Sequence, residues 1–134
     1  MQDIAYSSWA LISVDDDPAT SEASITVAPV ITNVAIDPGA SLVFELSESF
    51  ANLSITLRTT ALSAEGRDGL CRIFAGSSAS NLRELAVERG WEKTIDGLVA
   101  VFEGEVAGNG TDRYVKLHFD TGPKLVVTAV AFSG

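Results

Sequence analysis

Regular alternation of apolar and polar residues is the feature that most restricts the fold of this 134-residue chain. Residues 52–58 and 113–119 place an apolar side chain at every second position, namely Leu53, Ile55, Leu57, Val115, Leu117 and Phe119. Successive side chains of a β-strand point to opposite faces of the sheet, so each segment predicts a strand with one packed and one solvated face. We therefore expect Tyr114, Lys116 and His118 on a solvated face.

Similar short runs of Val, Ile, Leu, Phe and Thr recur along the chain between clusters of Gly, Pro, Asn, Asp and Ser, including a predicted turn at 108–110. They predict strands near residues 9–14, 24–28, 30–36, 41–47, 52–60, 69–75, 98–106, 112–119 and 124–132. Many short strands separated by turns are typical of an antiparallel β-sandwich or jelly roll, which is the predicted fold. The last strand is apolar on both faces, which indicates a central position or contact with a partner.

Residues 81–89 are compatible with two kinds of structure. Asn81 followed by Glu84 matches a capping box, the apolar residues of this stretch have helical spacing, and Gly90 is a possible helix end. A strand explains the same residues equally well. The predicted fold is therefore all-β with at most one short helix.

The charge of the chain is unevenly distributed. Eighteen acidic residues against nine basic ones give a net charge of −9. Residues 1–57 contain eight of the acidic residues and no Lys or Arg. Proteins that bind nucleic acids or anionic membranes need clustered basic residues, so neither partner is predicted. We expect the acidic segment to face a basic protein surface.

The first 40 residues differ in composition from the rest, with short apolar runs and scattered Ala, Ser and Thr. They predict an extended N-terminal arm with the first strands in residues 1–40, in contact with a partner, and a β-sandwich domain in residues 41–134. Tyr6 and Trp9 are the predicted anchors of this arm on a neighbouring subunit. An acidic run is predicted either to form a solvated turn or to dock on the same partner, and it comprises Asp15, Asp16 and Asp17.

The sequence predicts no catalytic, metal or cofactor site. His118 is the only histidine, and no nucleophile motif accompanies it. Glu103 and Glu105 are two positions apart, which is the ordinary spacing of a solvated strand face rather than a sign of paired catalytic acids. The single cysteine, Cys71, is predicted to fill a small buried position. We therefore expect a protein that is not an enzyme.

Trp91 is the candidate ligand-binding residue. It follows Gly90 in a stretch that reads as a loop. An exposed aromatic ring can stack on a sugar, whereas a buried ring fills the core. The sequence leaves both roles open for Trp91.

The chain from Ala40 to the C-terminus carries a pattern known from one group of proteins. The dipeptide Arg113-Tyr114 begins an alternating strand, a turn at Gly122 follows, and the final strand contains Ala129. This order resembles the small jelly-roll cement, or decoration, proteins of tailed-bacteriophage capsids. The resemblance implies a non-enzymatic virion protein that binds the major capsid protein or another virion protein, commonly as a homotrimer. It also implies a place on the capsid surface after synthesis in the host cytoplasm.

A second resemblance is to discoidin-like carbohydrate-binding domains, in which a similar Arg-Tyr-Val strand follows a loop with the pattern Ser-x-x-x-Asn. Residues 77–81 are the nearest match. The chain departs from this group because one cysteine permits no internal disulfide and because no cluster of aromatic, His and Arg residues is evident. Asp3 also stands where a signal peptide would carry a basic residue. The alternative prediction is a carbohydrate-binding β-sandwich module on a virion or cell surface.

Overall fold

The computed structural model describes residues 3–12, 34–36, 39–60, 71–78, 81–85, 87–96, 99–119 and 125–134. All regular structure in these ranges is β-strand, and none of it is helical. The strands are β1 (Asp3–Ile4), β2 (Tyr6–Ile12), β3 (Val34–Ile36), β4 (Ser41–Thr60), β5 (Arg72–Ser78), β6 (Asn81–Glu84), β7 (Val87–Asp96), β8 (Val99–His118) and β9 (Leu125–Ser133). The all-β fold predicted from the sequence is confirmed.

Two long antiparallel strands, β4 and β8, organise the fold. Their ladder is regular over residues 41–45 and again over residues 52–60, and it is interrupted between these stretches. Beside the first stretch, β2 pairs with β4, β5 pairs with β8, and β6 continues beyond β5. Beside the second stretch, β9 pairs with β4 and β7 pairs with β8. The interruption thus divides one antiparallel sheet into a first half-sheet, β2–β4–β8–β5–β6, and a second half-sheet, β9–β4–β8–β7.

The two half-sheets share one apolar core, as expected for a sandwich. Phe44 of the first and Phe132 of the second meet edge to face, with ring centroids 5.1 Å apart. Such aromatic pairs contribute about 0.5–1.5 kcal/mol beyond the burial of their surface. Cys71, which the sequence predicts as a small buried residue, packs against this core and is partly buried. The alternation found in the sequence predicts the core correctly at the buried residues Leu53, Ile55, Leu57, Val115, Leu117 and Phe119.

The described parts of the predicted arm are strands of the same sheet. β1 pairs with the end of β9, β3 pairs with its beginning, and β2 pairs with β4. The chain crosses from β9 to β4 at Ala5, whose carbonyl accepts a hydrogen bond from the Ser47 N–H. Ile4 and Ile36 are buried in the core. The contact of residues 1–40 with a partner stays a prediction.

One face predicted to be solvated is buried at two positions of β8. Lys116 is 0% exposed and His118 is 4% exposed. Val43 and Phe74, the cross-strand neighbours of Lys116, are buried as well. The expectation of a solvated face is therefore wrong for Lys116 and His118, whereas Tyr114 is partly exposed. Alternation tells which residues share a face, but it does not tell what lies against that face.

The helical alternative for residues 81–89 is wrong. Residues 81–84 form β6, which pairs with β5, and β7 begins at Val87 and pairs with β8. The local capping signal at Asn81 is overridden because Arg83 and Glu84 pair with Ala75 and Phe74 in the sheet.

A β-bulge in β9 explains why this strand is apolar on both sequence faces. Arg58 pairs with Ala129 and Thr59 pairs with Val127, so Thr128 is an extra residue in β9. A bulge of this kind reverses the side-chain alternation on one side of it. Val127 and Val130, three positions apart, are consequently both buried.

Candidate binding surfaces

A polar cleft lies where the β5–β6 hairpin meets the bend of β8. Between the pairs Phe50–Asp112 and Asn52–Ala107, β4 advances by two residues and β8 by five, so residues 108–111 loop out of the ladder. The cleft has a volume of about 180 Å³. Its lining residues are Gly76, Ser77, Asn81, Leu82, Arg83, Asn109, Thr111 and Asp112.

An ion pair between Arg83 and Asp112 forms one wall of the polar cleft. The Arg83 Nη1 and Nη2 atoms donate to Asp112 Oδ1 and Oδ2, each at 2.7 Å. The Asp112 side chain is 1% exposed, whereas that of Arg83 is 47% exposed. The Asn109 N–H also donates to Asp112 Oδ2, at 3.0 Å. The hydrogen bonds from Arg83, and then the one from Asn109, hold the pKa of Asp112 below its usual range although burial opposes this. Asp112 in turn raises the pKa of Arg83.

The loop that borders the polar cleft is held by its own side chains. Asn109 Oδ1 accepts hydrogen bonds from the Thr111 N–H at 3.0 Å and from Thr111 Oγ1 at 2.8 Å, which is an Asx turn. Gly110 has a φ of +85°, a conformation that favours glycine. A Cβ on Gly108 would lie 2.7 Å from the Phe50 ring. The side chains and glycines of the loop itself therefore hold its conformation.

An apolar groove lies along β1 and β9. Its volume is about 360 Å³. Its lining residues are Asp3, Ile4, Ala5, Tyr6, Val130, Ala131 and Phe132. On this side of β9, β3 pairs with residues 125–127 and β1 pairs with residues 132–133. Among the described residues, no strand pairs with 128–131 on that side, and we call this surface the edge groove.

The predicted anchors Tyr6 and Trp9 both contact the core of their own chain. The Tyr6 ring lies 5.1 Å from that of Phe44 and 6.1 Å from that of Phe132, centroid to centroid, both edge to face. Trp9 is partly buried against the same core and pairs with Phe44 across β2 and β4. The structure therefore brings Tyr6, but not Trp9, into the edge groove, and their contact with a partner stays a prediction.

The other predicted site residues lie outside the described part of the chain, wholly or in their side chains. The acidic run of Asp15, Asp16 and Asp17 belongs to residues that the structure does not describe. Trp91 has its backbone in strand β7, so the expected loop at this position is wrong, and its side chain is not described. Its role as ligand contact or core residue stays open.

The Arg-Tyr dipeptide that carries the resemblances has a structural role. Tyr114 Oη donates to Glu45 Oε2 at 2.6 Å, and Ser7 Oγ donates to Glu45 Oε1 at 3.1 Å. The bond from Tyr114 lowers the pKa of Glu45, and Glu45 raises the pKa of Tyr114. Arg113 donates to the carbonyl of Leu46. The dipeptide thus ties β8 to β4.

His118 lies beside a serine and is buried in the described structure. Its Nδ1 atom is 2.7 Å from Ser41 Oγ, and the two residues are opposite each other in β4 and β8. A serine–histidine contact is part of the machinery of many hydrolases. Here both side chains are buried between paired strands, where a substrate has no access. The pair therefore stabilises the sheet.

Most residues of the polar cleft were missed in the sequence. The exceptions are the predicted turn at 108–110 and the residues Ser77 and Asn81, which end the stretch that matches the Ser-x-x-x-Asn loop of discoidin-like domains. Arg83 and Asp112 are 29 positions apart, and no short motif joins them. A charged residue on each of two predicted strands is too common a pattern to indicate a pair. The turn residues around Asn109 and the match at residues 77–81 gave local signals, and neither indicated that Arg83 meets Asp112.

Comparison of the chain with protein-family models, curated proteins and solved structures found no match. The resemblances to capsid decoration proteins and to discoidin-like domains therefore remain predictions. Within the described ranges, no three His, Cys, Asp or Glu side chains form a group that could hold a metal ion. The described residues also include no helix that is long and apolar enough to cross a membrane.

Proposed function

We propose that this protein is a non-enzymatic structural component of a virion, a capsid decoration protein that binds the shell as an oligomer and stabilises it. The edge groove is the observation that carries this proposal. An apolar surface beside an open strand edge is stabilised when another protein chain covers it. In the described part of the chain, one stretch of β9 offers both features.

The edge groove supplies two kinds of contact to a second copy of this chain. Ala5 and Ala131 are its exposed apolar residues, and residues 128–131 supply backbone hydrogen-bonding groups. A strand of a neighbouring copy can add to this edge by backbone pairing, with its side chains in the groove. In a cyclic trimer each edge groove contacts a different surface of the next copy, and the ring closes when each contact rotates the next copy by about 120°.

The uneven charge supports attachment of this oligomer to a basic shell surface. Residues 1–57 carry eight acidic and no basic residues. Of these, Asp3 and Glu48 are exposed in the described structure. Exposed ion pairs are screened over about 8–10 Å at moderate salt. Attachment through these residues is therefore expected to weaken as salt rises.

The oligomer is tested by sedimentation velocity of the purified protein. We expect a trimer for the wild type and a monomer for Ala131→Lys, because Ala131 is an exposed residue of the edge groove where a lysine places a charge. Ala51→Lys is the matched control, since Ala51 is also an exposed strand alanine but does not line the groove. A monomeric wild type, or equal effects of the two lysines, would contradict the assignment.

Shell attachment is tested by co-sedimentation of the protein with purified capsid shells that lack it. We expect saturable binding that decreases across a sodium chloride series. Binding that is independent of salt would show that apolar burial, rather than the acidic segment, dominates the contact. No binding at any salt concentration would contradict the decoration role.

The alternative function, a carbohydrate-binding module built on Trp91, gains no support at that residue, because its side chain is not among those described. It stays a prediction, and glycan-array binding that Trp91→Ala abolishes is its test.

A further inference from the structure

The polar cleft presents hydrogen-bonding groups that make no hydrogen bond among the described contacts of the protein. Among the described contacts, Arg83 donates to both oxygens of Asp112 and to the Ala75 carbonyl at 3.4 Å. A guanidinium has five N–H donors, so its Nε–H and one Nη2–H are available to a ligand. Asn109 Oδ1 is engaged by Thr111, which leaves the Nδ2 donors of Asn109 available as well.

Further groups of the polar cleft accept as well as donate. Asn81 and Ser77 are exposed, and neither side chain makes a hydrogen bond among the described contacts. Their amide and hydroxyl groups each combine donor and acceptor capacity. Thr111 Oγ1 donates its hydrogen to Asn109 and keeps its lone pairs. A ligand group that both donates and accepts, such as a hydroxyl, is the best match for this mixture.

The electrostatics of the polar cleft favour an uncharged ligand. The positive charge of Arg83 is compensated by Asp112 at 2.7 Å, and the whole chain carries a net charge of −9, so an anion is disfavoured. A metal ion is disfavoured because both Asp112 oxygens accept hydrogen bonds from Arg83, and one also accepts from Asn109. The nearly complete burial of Asp112 removes it further from a cation.

The size and rigidity of the polar cleft narrow the ligand class. Its volume of about 180 Å³ is below the range of about 300–1,000 Å³ that is usual for drug-sized ligands. This space suits a single hydroxylated ring. The Asx turn at Asn109 and the ion pair at Arg83 already hold the walls in place, so binding orders few side chains and loses little entropy.

We propose that the polar cleft binds a neutral saccharide, one ring of which hydrogen-bonds through adjacent hydroxyls to Arg83, Asn81 and Asn109. Ser77 hydrogen-bonds to a further hydroxyl of the same ring. This site is separate from the edge groove and does not depend on capsid attachment. Its failure and the failure of the decoration role are therefore distinguishable. The ligand is recognised by hydroxyl groups on a ring and carries no charge.

Saturation-transfer NMR on the full chain tests the ligand class. The probes are the methyl glycosides of glucose, galactose and mannose, with glucuronate and inorganic phosphate as anionic comparators. We expect signal transfer to at least one neutral glycoside and none, or weaker transfer, to the anions. Transfer to none of the three glycosides, or to the anions alone, would overturn the proposal.

Substitutions in the polar cleft then test the location. Asn81→Ala and Ser77→Ala each remove exposed hydrogen-bonding groups and leave the Arg83–Asp112 pair intact, so each is expected to weaken glycoside binding by about tenfold. Arg72→Gln is the matched control, because Arg72 is on the same hairpin, pairs with Glu84 and does not line the cleft. Binding by both alanine variants as tight as that of the wild type would overturn the location.

Discussion

Two ion pairs on the β5–β6 hairpin allow the effect of burial on pair strength to be measured within one molecule. Arg83 pairs with Asp112 through two hydrogen bonds of 2.7 Å, and Arg72 pairs with Glu84 through hydrogen bonds of 2.9 and 3.2 Å. Both pairs are bidentate, but they differ in burial. The side chains of Arg72 and Glu84 are 43% and 49% exposed, whereas Asp112 is 1% exposed.

This difference sets the expected magnitudes. Removing one partner of a fully buried pair costs about 3–5 kcal/mol. The Arg83 side chain is about half exposed to solvent, so we expect a smaller coupling energy for the Arg83–Asp112 pair, about 2 kcal/mol. The exposed Arg72–Glu84 pair is expected to couple by about 0.5 kcal/mol, because solvent screens it and two long side chains must be ordered.

Two double-mutant cycles measure these couplings. One combines Arg83→Gln with Asp112→Asn, and the other combines Arg72→Gln with Glu84→Gln. The free energy of unfolding is taken from urea denaturation, in which a loss of 2 kcal/mol shifts the midpoint by about 1 M. Equal coupling energies in the two cycles would refute the reasoning that the burial of Asp112 determines the strength of its pair.

Two further predictions concern the same bend. Gly108→Ala is expected to lower the free energy of unfolding by about 1–3 kcal/mol, because the added Cβ would overlap buried side chains on both sides. At Gly110 an added Cβ has open space, so the strain of Gly110→Ala comes from the φ of +85° alone. Thermal melts that show no loss of stability for Gly108→Ala would contradict the predicted overlap. Acidification is expected to destabilise the protein, because the folded-state pKa of Asp112 lies below its ordinary value of 3.8. The stabilisation from this lowered pKa is fully present above that ordinary value and is lost as the pH falls through the folded-state pKa. Urea melts between about pH 2 and 5 should therefore show a shallower pH slope for Asp112→Asn, and an unchanged slope would contradict this role.

The sequence was sufficient to locate most strands of the described structure, because alternation is a local property. The predicted strands at 41–47 and 52–60 are the two parts of β4, and those at 98–106 and 112–119 are the two parts of β8. The predicted turn at 108–110 separates the two strands that the sequence predicts for β8, and residues 48–51 belong to neither predicted strand of β4. In the structure the chain continues through irregular pairing and bends the sheet instead. The predicted strand at 24–28 lies outside the described residues.

The sequence by itself determined the fold class, the positions of most strands and the core residues of the alternating strands, such as Ile55 and Leu117, because these follow from the side-chain periodicity of a strand. Only the tertiary structure decided that Lys116 is buried, that the bulge at Thr128 brings Val127 into the core, and that Arg83 meets Asp112. Each of these depends on strand register and on layers that pack against a face. Both are set by contacts between residues far apart in the chain, which a local pattern does not contain.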